Sequence, residues 1–290
     1  PILNLLLVLF IGISMGGSIM VAQYFGAKQR EELSYTVGNC ILLTAIATGI
    51  IMLLSVVLVR PLLVMLNTPA SIIDWCYSYL MIMFLGFVGC AYYNILSGVL
   101  RGLGDAFSAL VYLLVSTVLN IILDLLFVAK LGMGVSGVAW ATIIAQAVSA
   151  VLCFIRMAKL TDIFDLKLHY MKYNKKFSGK IIKLGLPSGL TQAIFSMAMI
   201  VVQSLTNSFG EMFISANVIV MRVDGFAMLP NFSFGSAMTT YAGQNVGARK
   251  YERVIRGAKQ GTLVAVLTTA TLTALILIFG KPLMGIFTNT

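Results

Sequence analysis

Charged residues are scarce in this sequence. Asp, Glu, Lys and Arg make up 10% of the 290 residues, and hydrophobic residues make up 59%, whereas about 25% of the residues in a soluble domain are charged. Water is therefore not the main solvent of the chain. The sequence also contains a single histidine, and its four cysteines lie far apart in apolar stretches. This pattern argues against a metal centre or a redox-active pair.

Long apolar segments dominate the sequence instead. Eight can be counted, at approximately residues 1–25, 36–59, 72–97, 107–129, 135–157, 181–207, 213–243 and 258–280. A helix needs about 20 apolar residues to cross a bilayer, and the strands of a membrane barrel are shorter and alternate in polarity. The segments therefore predict an all-α polytopic membrane protein with eight spanning helices.

Basic residues fall on alternate connections between these segments. Of the 20 Lys and Arg residues, 16 lie in or beside the connections 26–35, 98–106, 158–180 and 244–257, and three lie in the other connections. Such an asymmetry marks the basic side as cytoplasmic and predicts a multi-pass protein of the bacterial plasma (inner) membrane. The net charge of +10 then reflects topology and attraction to membrane lipids. No nucleic acid is expected as a partner.

Two parts of the sequence resemble each other at an offset of 221 residues. The string QYFGAK at 23–28 recurs as QNVGAR at 244–249, and RPL at 60–62 recurs as KPL at 281–283. Six spans, an even number, fit into this offset, so both copies have the same orientation across the membrane. Extending the repeat predicts a molecule of twelve spans in two parallel lobes, of which this chain is a fragment.

The predicted chain divides into three parts. Residues 1–157 form the first lobe without its first helix, and residues 181–290 form the first half of the second lobe. Residues 158–180 form a basic cytoplasmic loop between the lobes. Eight of the twelve helices of the two-lobed bundle are therefore expected here.

Glycine and aspartate residues in the connecting strings have structural interpretations. Gly26 and Gly247 are predicted to supply the left-handed conformation that ends a helix. Gly12 and Gly16 are four residues apart, which is typical of a face where two membrane helices pack closely. Asp105 follows a glycine-containing turn and is predicted to cap the next helix.

Asp124 is the clearest ionisable residue within an apolar segment. Asn120 precedes it by four residues, so both side chains project from one helical face. Thr142 lies at a similar depth on the next helix, about 10 Å from the outer turn by the helical rise. Oxygen ligands suit Na⁺, and a carboxyl group in apolar surroundings suits a proton. The alternative is a structural role, in which the three side chains bond to one another and hold two helices together.

The ordered set of motifs resembles the MATE (multidrug and toxic compound extrusion) family of cation-coupled antiporters. The resemblance extends over the whole chain and rests on six strings: VAQYFGAKQREE (21–32), SGVLRGLGDAF (97–107), STVLNIILDLLFV (116–128), GVSGVAWATIIAQ (134–146), LGLPSGLTQ (184–192) and AGQNVGARKYER (242–253). It implies a two-lobed MATE-type bundle without enzymatic activity. It also implies export of amphipathic organic cations in exchange for Na⁺ or H⁺, with no further cofactor.

The resemblance also implies roles for particular residues. Members with a first-lobe coupling site have an Asn and an Asp four apart on the fifth helix and a Thr on the sixth, which Asn120, Asp124 and Thr142 match. Their further Asp on the first helix has no counterpart in this sequence. Members of the NorM type have a Glu on the seventh helix where this sequence has Phe195. The chain is therefore expected to be of the first-lobe-coupled, DinF-like type.

Other polar residues within the spans have less specific interpretations. Gln192, Arg222 and Asp224 are candidates for a substrate cavity, and Pro230 is a candidate hinge because proline interrupts the helical hydrogen bonds. The protein is expected to be a monomer. A lipid-linked oligosaccharide flippase of the same wider superfamily is the alternative function. A membrane enzyme is less favoured, because the sequence shows no cluster of acidic and histidine residues near one membrane face.

Overall fold

Helices account for all the regular secondary structure in the part of the chain that the computed structural model describes, residues 2–65, 73–207 and 209–285. The predicted all-α fold is therefore confirmed. The helices are, in chain order, α1 (Ile2–Gly26), α2 (Arg30–Met65), α3 (Ile73–Leu85), α4 (Phe87–Leu103), α5 (Ala106–Asp124), α6 (Gly134–Ala158), α7 (Lys175–Asn207), α8 (Glu211–Gly247) and α9 (Tyr251–Gly285). A π-helical segment, Leu125–Lys130, continues α5, and a short 3₁₀-helix, Leu168–Met171, precedes α7.

Each of the eight predicted spans coincides with one helix or with a bent pair. Helices α3 and α4 meet at Gly86 with a bend of 44° and together form the span predicted at 72–97. Five helices within the described ranges are long and apolar enough to cross a bilayer, and the bent pair makes a sixth. In α1, the apolar stretch Phe10–Gly26 is shorter.

Helix α1 packs against α2, α4, α7 and α8. Its contact with α7 brings backbone against backbone. A β-carbon at Gly16 would overlap the carbonyl oxygen of Ile181, and one at Gly185 would overlap the carbonyl oxygen of Gly12. The predicted close-packing face at Gly12 and Gly16 is thus confirmed, and α7 is the helix that it contacts.

The C-terminal ends of α1 and α8 make a reciprocal contact. A β-carbon at Gly26 would overlap the carbonyl oxygen of Gln244, and one at Gly247 would overlap the carbonyl oxygen of Gln23. Because Gln244 and Gly247 repeat Gln23 and Gly26, each copy offers the same two residues to the other. Such an exchange is the property of an interface about a two-fold axis, and here the axis relates two parts of a single chain.

Gly26 and Gly247 do not end their helices through a left-handed backbone, so that prediction is wrong. The left-handed residues are Lys28 and Arg249, with φ of 56° and 57°. Glycine is needed at both positions because a carbonyl oxygen of the neighbouring helix leaves no room for a side chain. A non-glycine residue in the left-handed region costs about 1–2 kcal/mol. This cost is partly offset because a cation near a helix C-terminus interacts favourably with the helix dipole.

Asp105 caps α5, as predicted. Its carboxylate accepts the backbone N–H of Ser108 at 3.1 Å and the Nε–H of Arg156 at 2.8 Å, so the start of α5 is bound to the end of α6. Partial burial would raise the pKa of the Asp105 carboxyl, but the hydrogen bonds from Arg156 and Ser108 outweigh it and hold that pKa below its usual value.

The four basic connections gather at one end of the bundle. Arg30, after α1, forms an ion pair with Asp165 of the connection between the lobes, at 3.0 Å. The Nε2 of Gln244, near the end of α8, donates to the carbonyl oxygen of Gly102 at 3.0 Å. The Gly26–Gln244 contact joins these two groups of connections. The structure therefore places the four basic loops on the same side of the bundle, as the charge pattern predicted.

The connection between the lobes is folded against α2. Its last part is helical, because α7 begins at Lys175, before the predicted start of the span at 181. The Oδ1 of Asn39 on α2 accepts hydrogen bonds from the backbone of Asn174 at 2.9 Å and from the hydroxyl of Ser178 at 2.8 Å. The two lobes are thus joined by a segment with fixed polar contacts.

We expect Gly247→Ala to lower the thermal unfolding temperature of the full-length protein. The added methyl group meets a carbonyl oxygen of α1, and overpacking typically costs about 1–3 kcal/mol. Gly49→Ala on α2 is the matched control, because a β-carbon there meets nothing within 4 Å and alanine favours the helix by about 1 kcal/mol. Equal unfolding temperatures for the two variants would contradict the close contact.

We expect Asp105→Asn to destabilise the protein slightly and in a pH-dependent way. Asn caps a helix as well as Asp does, but the variant loses the ion pair with Arg156, and a partly exposed pair contributes little. A carboxyl whose pKa is lowered by folding contributes stability above its unfolded pKa of about 3.9, and this contribution is lost as the pH falls through the folded value. The stability difference between wild type and variant should therefore be constant between pH 5 and 8 and shrink below about pH 4. Asp162→Asn, at an exposed position, is the control. A difference that persists unchanged below pH 4 would contradict the assignment.

Candidate functional site

Helices α5 and α6 form an antiparallel pair whose register is set by three contacts. At the basic end, Asp105 pairs with Arg156. Further along, the hydroxyl of Ser149 donates to the carbonyl oxygen of Tyr112 at 2.6 Å. Near the opposite end, Gly137 lies against Phe127.

This register places the predicted ion-site residues at similar depths in the bundle. Asn120 is eight residues from Tyr112 along α5. In the same spatial direction, Thr142 is seven residues from Ser149 along α6. Asn120 and Thr142 therefore lie at the same level on facing helices. Asp124 is one turn nearer the end opposite the basic connections. All three predicted side chains are partly buried.

Three polar atoms in this region are buried without a hydrogen-bond partner. They are Nδ2 of Asn120, Oδ1 of Asp124 and Oε1 of Gln146, and in the described part of the chain no other buried side-chain nitrogen or oxygen is in this state. A buried polar group left unsatisfied costs about 1–3 kcal/mol. Unpaired groups of this kind need an explanation. Those of Asn120 and Asp124 are one turn apart on α5 and indicate a place where a further atom or ion can bind, whereas Gln146 lies one turn beyond Thr142 toward the basic end.

The residues present fit a small cation. Asp124 offers carboxylate oxygen atoms, and Asn120, one turn away on α5, offers an amide oxygen. The hydroxyl of Thr142 donates its hydrogen to the carbonyl oxygen of Val138 at 2.9 Å, which leaves the hydroxyl oxygen free to accept. Oxygen atoms of these types suit a hard cation such as Na⁺. They also suit a proton on Asp124, because a protonated carboxyl group becomes a donor. Asn120 can present either end of its amide by rotation of the side chain.

Gln146 was missed by the sequence reasoning. It follows Thr142 by four residues, the same one-turn spacing that relates Asn120 to Asp124, and both pairs lie on single helical faces. That spacing was the available signal. Glutamine is common on helices, however, and only the burial of its unpaired Oε1 distinguishes it.

Three of the other predicted site residues lie on helices other than α5 and α6. Gln192 is partly buried in α7, Asp224 is exposed on α8, and Pro230 lies within α8. The side chain of Arg222 lies outside the described part of the chain. A cavity of about 100 Å³ between the lobes is lined by other residues from α1, α4 and α8: Ile11, Ser14, Met15, Ser18, Asn94, Arg101, Ser236 and Thr239.

These features define a multi-pass helical membrane protein with an internal repeat and unpaired buried polar groups on α5 and α6. The MatE family model matches residues 1–126 and 187–290. The chain belongs to this family, and the predicted family is therefore confirmed.

Relatives in Bacillus subtilis (strain 168) are similar over much of the chain. "Probable multidrug resistance protein YoeA" is 28% identical over 294 residues, which cover 99% of this chain and 64% of that protein. "Probable multidrug resistance protein YpnP" is 32% identical over 228 residues, which cover 78% of this chain and 50% of that protein. The chain thus spans between half and two thirds of the length of these relatives.

Solved structures share the fold. A crystal structure of a MATE protein in a bent conformation matches with a TM-score of 0.90 and 24% identity, over 98% of this chain and 64% of that one. A multidrug resistance MATE family transporter in an outward-facing conformation matches with a TM-score of 0.91 and 23% identity, over 100% of this chain and 65% of that one. The predicted MATE-type bundle is therefore confirmed.

We expect Gln146→Met to leave the stability of the Na⁺-free protein unchanged or to raise it. The substitution removes an unsatisfied buried oxygen, whose cost is about 1–3 kcal/mol, and keeps most of the side-chain volume. Ser149→Ala, one turn along α6, removes a hydroxyl that is satisfied and should lower stability by about 1 kcal/mol. Thermal unfolding of both full-length variants makes the comparison. A larger loss for Gln146→Met than for Ser149→Ala would show that Gln146 has a partner.

Proposed function

We propose that this chain is part of a multidrug efflux antiporter of the bacterial plasma membrane, which exchanges Na⁺ or H⁺ for amphipathic organic cations by alternating access. The observation that carries the proposal is the presence of unpaired buried atoms on both Asn120 and Asp124, one turn apart on α5. The names of the two Bacillus relatives, both probable multidrug resistance proteins, support multidrug efflux. The gathering of the basic connections at one end of the bundle supports the orientation.

In this proposal Asp124 is the residue that exchanges the coupling ion. A carboxylate within the membrane is costly unless it is paired or neutralised. Binding of Na⁺ or H⁺ neutralises it, and Asn120 and Thr142 supply the nearest polar groups. Only the π-helical segment Leu125–Lys130 lies between Asp124 and the end opposite the basic connections, so the ion enters from that side.

The described conformation is closed at the basic end. Gly26 and Gly247 touch the facing helix there, and the hydroxyl of Thr240 on α8 donates to the carbonyl oxygen of Arg101 on α4 at 3.2 Å. For a substrate to enter from this side, α1 and α4 must separate from α8. The contacts to be broken are van der Waals contacts and neutral hydrogen bonds of about 1 kcal/mol each, which a bound ion or substrate can shift.

A packed route connects the ion site to this closure. Ile143 and Ala147 follow Thr142 and Gln146 by one residue each on α6. Ile143 packs on the bend before α4, where a β-carbon at Gly86 would overlap its side chain. Ala147 packs on α4 itself, where a β-carbon at Gly89 would lie 2.8 Å from its backbone nitrogen. The end of α4 in turn contacts α8, because the carbonyl oxygens of Arg101 and Gly102 accept hydrogen bonds from α8. A tilt of α6 on ion binding therefore moves α4, and α4 contacts the second lobe.

We expect Asp124→Asn in the full-length protein to reduce cation-driven efflux of an amphipathic cation by about tenfold or more. A charged interaction is worth about 1.5–3 kcal/mol, and 1.4 kcal/mol corresponds to a factor of ten. The measurement is dye efflux from proteoliposomes with an imposed Na⁺ or proton gradient, each collapsed in turn. Asp74→Asn, at an exposed position on α3, is the matched control and should transport normally. Unchanged efflux by the Asp124→Asn variant would remove Asp124 from the coupling role.

A further inference from the structure

Arg101 lacks an acidic partner although it lies between the lobes. The ion pairs in the described part of the chain are those of Arg30 with Asp165 and Arg156 with Asp105. The Arg101 side chain makes one hydrogen bond to a described residue, from Nη1 to the hydroxyl of Ser97 at 3.3 Å. A guanidinium has five N–H donors, so most of its hydrogen-bonding capacity is unused. A partly buried cation in this condition is destabilising unless an anion accompanies it.

The cavity that Arg101 lines contains further free donors. The hydroxyls of Ser14 and Thr239 are bonded to backbone carbonyl oxygens at 2.7 Å and 2.8 Å. The hydroxyls of Ser18 and Ser236 have no such acceptor among the described residues and remain available. No Asp or Glu lines the cavity. The cavity is therefore a group of unused donors around one positive charge.

The cavity lies between equivalent positions of the two repeated segments. Ser18 on α1 and Thr239 on α8 occupy equivalent positions, 221 residues apart in the two copies. Arg101 and Ser18 belong to the first lobe, and Ser236 belongs to the second. The cavity volume of about 100 Å³ corresponds to about three water molecules at 30 Å³ each, which is enough for one carboxylate or phosphate group.

We propose that this cavity binds a carboxylate or phosphate group, with Arg101 as its counter-charge and Ser18 and Ser236 as additional donors. The planar guanidinium matches the two oxygen atoms of such groups. An anion bound here contacts both lobes and stabilises the conformation that is closed at the basic end. The group is supplied either by a free anion or by a substrate that carries a carboxylate. The second source rests on the proposed export function, whereas the first does not.

Binding is tested on the purified full-length protein without any ion gradient. Thermal unfolding is followed while inorganic phosphate or acetate is titrated at constant pH and ionic strength. The wild-type unfolding temperature should rise and saturate, as expected for a ligand of the folded state, and Arg101→Gln should abolish the saturable rise. Lys28→Gln, which removes an exposed cation outside the cavity, is the control and should respond like wild type.

A milder variant covers the case in which Arg101→Gln does not fold. Ser236→Ala removes one hydrogen bond to a charged group, worth about 1.5–3 kcal/mol, and should weaken anion binding by about tenfold or more. The proposal is overturned if neither anion stabilises the wild-type protein saturably. It is also overturned if the Arg101→Gln variant, or the Ser236→Ala variant where only that one folds, binds anions as well as wild type.

The source of the group is distinguished by a matched pair of dyes in proteoliposomes. Rhodamine 110 has a free carboxylate, and rhodamine 123 is its methyl ester. If the substrate supplies the group, Arg101→Gln should lower the efflux of rhodamine 110 about tenfold more than that of rhodamine 123. If a free anion supplies it, both dyes should be affected equally. Because the anion titration needs no transport, failure of the coupling role of Asp124 would leave the test of this cavity intact.

Discussion

The close contact between α1 and α8 at the basic end is the constraint on which the remaining structure depends. Gly26 and Gly247 allow two backbones to meet where any side chain would collide. With no hydrophobic driving force between helices in lipid, such close van der Waals packing is what holds membrane helices together. Because the contact is reciprocal, two copies of one motif produce a symmetric contact.

Polar groups in this bundle fall into two classes with different physical consequences. Asp105, Asn39 and Ser149 have their hydrogen-bonding capacity met by neighbouring protein atoms, so they fix helices relative to one another. Asn120, Asp124 and Gln146 have buried atoms without a partner. Stability alone would not favour such groups in an apolar span, since each costs free energy. For this reason the proposed function assigns the coupling ion to Asp124 and Asn120.

Much of the fold and part of the candidate site could be predicted from local sequence. The length of each apolar segment predicted a helix, and the one-turn spacing of Asn120 and Asp124 placed them on one face. Gln146 was not predicted because its spacing from Thr142 is common on helices, and because the burial of a single atom cannot be read from the sequence. Gly26 was misread because a glycine at a helix end has two explanations, backbone conformation and close approach. Only the neighbouring helix distinguishes them.

The sequence by itself determined the membrane location, the helical fold, the repeat and the charge asymmetry, because these follow from the solvation of single segments in lipid or water. Tertiary structure decided which helix faces which. It set the register of α5 on α6, brought α1 against α7, and left Arg101 without a carboxylate partner among the described residues. Whether a polar group is satisfied depends on atoms far away along the chain. Pairing of this kind is a property of packing rather than of any local pattern.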